Sequence, residues 1–147
     1  MKVFQGRAII PGNVTGEALV THSALNVLAA FRKSLLFNVT KKAVCGDHDN
    51  PELYKKVLTG RILCLPETIG STSGGLLLET LAQRELLPKA LLFSKRIDSI
   101  SASGVILADI WLEKQIITVD QLGEEFLDYV KDGQKIEVHE DGTVTVE

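Results

Sequence analysis

At 147 residues the chain has room for one domain with a real core but not for two of ordinary size, and 45% apolar with 24% charged residues describes a globular protein rather than a disordered tail. A net charge of -3 with scattered Lys and Arg excludes the basic footprint of a nucleic-acid binder. The longest apolar run is about ten residues, short of a membrane span, and "MKVFQGRAII" lacks the apolar segment of a signal peptide, so a cytoplasmic location is expected.

In chain order, residues 2–10 mix apolar and polar positions, "PGNVTG" (11–16) supplies a Pro and two Gly for a turn, and "EALVTH" resumes an extended pattern, which predicts a hairpin. "ALNVLAAFR" fits a helix or a strand. "SLLFNVT" (34–40), rich in Leu, Phe, Val and Thr, predicts a third strand. Asn50 before Pro51 is a cap with Pro at the first helical position, predicting a short helix over 51–57. "GRILCLP" reads as a strand closed by Pro66, and "LLLETLAQRELL" as a helix ending before Pro88. "KALLFS" (89–94) is a buried-type strand, "DSISASGVILADIW" (98–111) a helix capped by Asp98 or Ser99, and "KQIITVD" (114–120) another buried strand. "LGEEFLDYVKDG" gives a short helix with Gly133 past its end, and the tail is a hairpin around Asp141-Gly142. The fold class is therefore α/β: a single domain over 1–147, with a central βαβαβ unit between flanking β-hairpins. Right-handed crossovers make the central strands parallel and gather functional loops at their carboxyl ends.

One such loop is "GSTSGG" (70–75), between the 62–65 strand and the helix that follows. Gly70, Gly74 and Gly75 allow close backbone approach, and free N–H groups at a helix start favour an anion. Ser71, Thr72 and Ser73 add hydroxyls available for acid–base chemistry if a partner changes their proton affinity. The spacing matches neither a Walker loop nor the G-x-S-x-G elbow. Taken alone, the loop is either an anion and hydroxyl site or a flexible connection in which Ser73 caps the helix.

Cys45 and Cys64 are nineteen positions apart with no zinc-type spacing. Cys64, inside "RILCL", reads as a buried filler, whereas Cys45 lies in the polar "CGDHDNP" stretch. Two thiols do not supply the four ligands of an iron–sulfur cluster, so any cluster would need ligands from elsewhere.

The order of "GRAIIPGNVTGEALV", "ELYKKVLTGRILCLP" and "GSTSGG", continued less specifically by "PKALLF" and the 98–110 segment, resembles the small subunit or swivelling domain of the aconitase X enzymes over roughly residues 6–110. The resemblance implies a swivelling β/β/α fold and a large-subunit partner that carries an iron–sulfur cluster and most of the pocket. It also implies dehydration of a small hydroxy acid, either cis-3-hydroxy-L-proline or 5-phosphomevalonate. It makes Ser71 the proton acceptor, with Gly70, Thr72, Ser73 and Gly74 around the substrate. Arg7, Pro11 and Gly12 match the family as hinge or pocket residues, although Pro11 and Gly12 also suit simple turn chemistry.

The chain departs from the family where "NVLAAFRKSLLFNVTKK" stands in place of a Gly-Gly-Val-Asp segment, and where "CGDHDNP" replaces an Asp-x-x-His stretch. The first departure tilts the substrate towards a hydroxyproline-like acid. The second leaves Cys45, Asp47, His48 and Asp49 unassigned, His48 being either a solvated loop residue or a ligand. Two alternatives of another class are a non-catalytic interaction subunit and a phosphocarrier-like swivel domain. The latter needs a His at a helix start, and neither "STSGGLLLE" nor "DSISASGVIL" has one.

Overall fold

The computed structural model describes residues 1–36, 42–70 and 74–147. Ten strands and four helices follow in the order β1 (Lys2–Gln5), β2 (Arg7–Ile10), β3 (Val14–Val20), β4 (Leu25–Asn26), α1 (Val27–Leu36), β5 (Ile62–Leu65), β6 (Thr68–Ile69), α2 (Gly74–Gln83), β7 (Ala90–Phe93), α3 (Ser99–Leu112), β8 (Ile117–Asp120), α4 (Glu124–Tyr129), β9 (Lys135–Val138) and β10 (Thr143–Val146). Eight strands form one sheet in the order β1-β10-β9-β3-β5-β7-β8-β2, and β4 pairs with β6 in a small parallel sheet of its own.

The central strands β3, β5, β7 and β8 are parallel, with Ala18 opposite Ile62, Ile62 opposite Ala90 and Ala90 opposite Ile117. That in-step register brings their carboxyl ends to one rim. Both faces of these strands are covered, which is why "ILCL" and "ALLF" are continuous apolar runs rather than alternations. Leu63, Leu65, Leu91 and Phe93 face the helical layer. Ile62, Cys64, Ala90 and Leu92 face the other way, onto the β9–β10 hairpin and α4. Each fully buried Leu, Ile or Phe contributes roughly 1.5–3 kcal/mol of transfer free energy, so the two apolar layers on β5 and β7 fix the register firmly.

The tail hairpin forms as read, with Val144 opposite Val138 and Gly142 in the left-handed region (φ +86°). The N-terminal hairpin does not form. β2 pairs with β8, and β3 with β5 and β9, so the strands flanking "PGN" belong to different parts of the sheet. β1 and β2 lie at opposite edges of the sheet with only Gly6 between them, so the sheet curls until its edges meet. Gly6 is required there by crowding, because a Cβ would stand 2.5 Å from Val119 Cγ1 and 2.7 Å from Asp120 O.

Two further expectations are corrected. Residues 34–36 of the proposed 34–40 strand are the last turn of α1, whose buried Val27, Ala30, Phe31 and Ser34 follow a helical period; residues 37–40 lie outside the described region. The Oδ1 of Asn26 accepts the Ala29 amide at 3.1 Å and caps that helix, a signal that β-branched content masked. The 51–57 helix is a single turn only. Asn50 does cap it, accepting the Leu53 amide at 3.2 Å, but Lys55 takes a left-handed conformation (φ 67°) and ends it.

Candidate functional site

The rim formed by the carboxyl ends of β3, β5, β7 and β8 carries residues 21–24, 66–70, 94–98 and 121–123. Backbone hydrogen bonds lace these loops together: Ser94 N–H donates to Leu65 O at 3.0 Å, Gly123 N–H to Ser94 O at 2.8 Å, and Leu25 N–H to Glu67 O at 2.9 Å. Loops so tied are placed by the sheet rather than by their own preferences.

The approach to the Gly-Ser segment is held by one carboxylate. Asp98 caps α3 by accepting the Ser101 amide at 2.9 Å, and Ser101 Oγ at 3.0 Å. It also accepts the Thr68 amide at 3.1 Å and Thr68 Oγ1 at 2.8 Å, while the Thr68 and Ser101 hydroxyls lie 2.7 Å apart. Thr68 and Ser101 are both buried. Two residues on, Gly70 has φ +124°, a region costly for any residue with a side chain, and a Cβ there would lie 3.4 Å from Asn26 Oδ1. One end of the 71–73 segment is thus pinned by β4–β6 pairing and Asp98, and α2 begins at its other end, at Gly74. Ser71, Thr72 and Ser73 themselves lie outside the described residues.

Beside this lip is a cleft of about 380 Å³ lined by His22, Pro66, Glu67, Ser94, Lys95 and Glu124, among others. Lys95 Nζ meets Glu67 Oε2 at 3.0 Å. His22 Nδ1 lies 2.7 Å from Glu52 Oε2, and its Nε2 lies 3.2 Å from Leu127 O. The hydrogen bond that His22 donates to Glu52 is the main reason the imidazole holds its proton above its ordinary range. Burial works against ionisation of Glu52, but the donors from His22 outweigh it and hold that carboxyl below its usual range. With both ring nitrogens engaged, His22 is a clamp rather than a phosphate acceptor, and neither α2 nor α3 begins on a histidine.

At the far side of the rim Asp120, fully buried, accepts Arg7 Nε at 3.0 Å, another Arg7 guanidinium nitrogen at 2.7 Å, and the Ile97 amide at 2.8 Å. Arg7 therefore binds the edge strand to the 94–98 loop. Gly12 sits against Ile117, at the opposite end of β8 from the rim. Sequence reading passed over His22, Lys95, Asp98 as a loop anchor, and Asp120, because three of them lie at the ends of separate strands and one begins a helix, with no shared spacing.

The "CGDHD" residues do not join the rim. Asp47, His48 and Asp49 line a separate groove against α1, sharing no residue with the cleft. His48 stacks on Tyr54 with ring centroids 4.4 Å apart, and Asp47 Oδ1 accepts the Asp49 amide at 2.9 Å in a local turn. Cys45 and Cys64 are both buried, and burial pushes both thiols up, away from the thiolate a metal requires. Among the described residues no three His, Cys, Asp or Glu side chains gather as metal ligands, so this donor set does not fit an iron–sulfur cluster. No helix among them is long and apolar enough to cross a membrane.

A parallel sheet backed by helices on one face and by an antiparallel layer on the other, with its loops gathered on one rim, defines a β/β/α swivelling domain. The profile of the aconitase X swivel domain matches residues 3–146, and the chain belongs to that family. It is similar to a phosphomevalonate dehydratase small subunit of Archaeoglobus fulgidus, 32% identical over 94% of this chain and 92% of the relative. A second phosphomevalonate dehydratase small subunit, of Aeropyrum pernix, is 35% identical over 62% of this chain and 64% of the relative. Among solved structures, the crystal structure of Thermococcus kodakaraensis aconitase X in its holo form superposes with a TM-score of 0.82 at 25% identity, covering 100% of this chain and 99% of that one.

Proposed function

We propose that the chain is a single swivel domain that serves as the small subunit of a phosphomevalonate dehydratase, with Ser71 as the proton acceptor. The observation that carries this reading is the end-to-end similarity to a phosphomevalonate dehydratase small subunit. It favours phosphomevalonate over the hydroxyproline-like acid to which the absent Gly-Gly-Val-Asp segment tilted the sequence reading, and no relative named above is a hydroxyproline enzyme.

Dehydrating a 3-hydroxy acid removes a proton beside the carboxylate and a hydroxyl from the next carbon, leaving an unsaturated acid and water. Ser71 would take the proton. The amides of residues 70–74, leading into α2, would hold an anionic group of the substrate. Asp98 and Gly70 would keep the turn in place, so that orientation is set before substrate arrives. A serine is a poor base in water, so Ser71 needs cationic or donor groups in a dry interface, which a large subunit would supply. An iron–sulfur cluster on that subunit would supply the Lewis acid for the departing hydroxyl.

The test is dehydration by the chain co-purified with its large subunit, with phosphomevalonate and cis-3-hydroxy-L-proline offered separately. Turnover is expected on phosphomevalonate. Ser71→Ala should lower it by about 10² to 10⁴ while the complex still assembles. Unchanged turnover would leave the chain a non-catalytic interaction subunit.

A further inference from the structure

A soluble helix on a protein surface ordinarily turns a charged face to water. α3, "SISASGVILADIWL", has one charged residue in fourteen, Asp109, and that residue is only half-exposed. Ser99, Ser103, Ile106 and Ile110 form a single outward stripe along it at helical spacing, with Ile106 44% and Ile110 68% exposed. Alongside the stripe, between α3 and the edge strand β2, lies a groove of about 600 Å³. Its walls are apolar along most of their length: Ala8 and Ile9 from β2, Ile97 from the loop, Ala102 and Ile106 from α3.

The end of the groove nearest the rim differs, for there Arg7 and Arg96 line it beside Ser99. β2 runs antiparallel to β8, so Arg7 lies level with Asp120 at the carboxyl end, and Arg96 follows β7 at the same end. The groove therefore opens onto the loops that hold the approach to residue 71. Among the described residues no carboxylate lines it.

We propose that the α3–β2 groove is the seat of the large subunit, which lays an apolar segment along Ile9, Ala102, Ile106 and Ile110 and turns a carboxylate to Arg96 at the rim. This rests on the reading of the chain as a dehydratase small subunit. The large subunit is the occupant favoured by continuity, because whatever completes the reaction must reach the 66–70 and 94–98 loops, and the groove leads there. Charge argues the same way: Arg7 is already paired with Asp120, and a second copy pairing through this face would bring the Arg96 side chains together with Asp109 the one acid of α3 to meet them. Interface centres are typically depleted of charge, with polar groups at the rim, which is the distribution found here.

The experiment measures binding of the chain to its large subunit by isothermal titration, comparing wild type with Ile106→Lys, Ile110→Lys and Arg96→Glu, and with Val3→Lys, an exposed apolar residue of β1 outside the groove lining, as a control. Melting temperatures check that each variant is folded. The three groove variants should weaken the complex tenfold or more, and Val3→Lys should leave it unchanged. If the groove variants bind like wild type while the complex forms, the large subunit sits elsewhere and this inference fails while the dehydratase reading stands. If wild type binds no large subunit, the reading beneath it fails as well. Self-association of the chain alone that Ile110→Lys abolishes would assign the face to a second copy and overturn the proposal.

Discussion

Two aspartates hold the rim of this domain, and they do it differently. Asp98 is half-exposed and binds only neutral donors, two amides and two hydroxyls, all from Thr68 and Ser101. Asp120 is fully buried and binds a guanidinium from the edge strand together with the Ile97 amide. The first fixes a short turn next to the candidate site. The second fastens the last strand of the curled sheet to the loop beside it. A charge in the interior needs a charged partner, whereas a charge near the surface can be held by dipoles, so the Asp120 node should dominate stability and the Asp98 node should act on the geometry of the site.

Substitution can break that contrast. Asp120→Ala removes the acceptor of the Ile97 amide and of Arg7, whose guanidinium is half-exposed and stays solvated, and urea denaturation should report a loss of about 2–3 kcal/mol. If the loss were as small as that of an exposed pair, the two nodes would be equivalent. Asp98→Ala should cost about 2 kcal/mol, from the lost α3 cap and an unpaired Thr68 amide. In the dehydratase proposed above, its larger effect should fall on kcat/KM of the complex, because the turn before residue 71 loses its anchor.

The His22–Glu52 pair sharpens the comparison from the low end, being exposed on both sides and worth under about 1 kcal/mol. Folding raises the proton affinity of His22, so its share is fully present below the unfolded pKa of 6.5 and is lost as pH rises through the folded value. Folding lowers that of Glu52, so its share is present above the unfolded value of 4.5 and is lost as pH falls through the folded one. The pair thus contributes most between those two ordinary values. The melting-temperature difference between wild type and His22→Gln should be larger at pH 6 than at pH 8.5. An equal difference at both would mean that His22 acts by packing alone.

Local chemistry explains what was legible. Asp98 before an apolar helix, Asp141-Gly142 between alternating strands, and the apolar runs at 62–65 and 90–93 each state their structure within a few residues, and each forms as read. "PGN" misled because it is a good turn, yet β2 finds a longer-range partner in β8. "SLLFNVT" misled at residues 34–36 because its branched residues favour strands, while Ser34 falls on the buried stripe of a helix that Asn26 had already started. "CGDHD" looked like a site because of its residue types, but its side chains are used in a local turn and a ring stack.

By itself the sequence determined the parallel strands at 62–65 and 90–93, their two-sided burial and the Asp98 cap of the helix that follows, because hydrophobic period and capping chemistry act over a few residues. Only the tertiary structure decided that β1 and β2 part to opposite edges, that Thr68 and Ser101 share Asp98, and that His22, Lys95 and Asp120 meet at one rim. Those outcomes depend on which strands pair across a hundred residues of chain, and no local spacing encodes that choice.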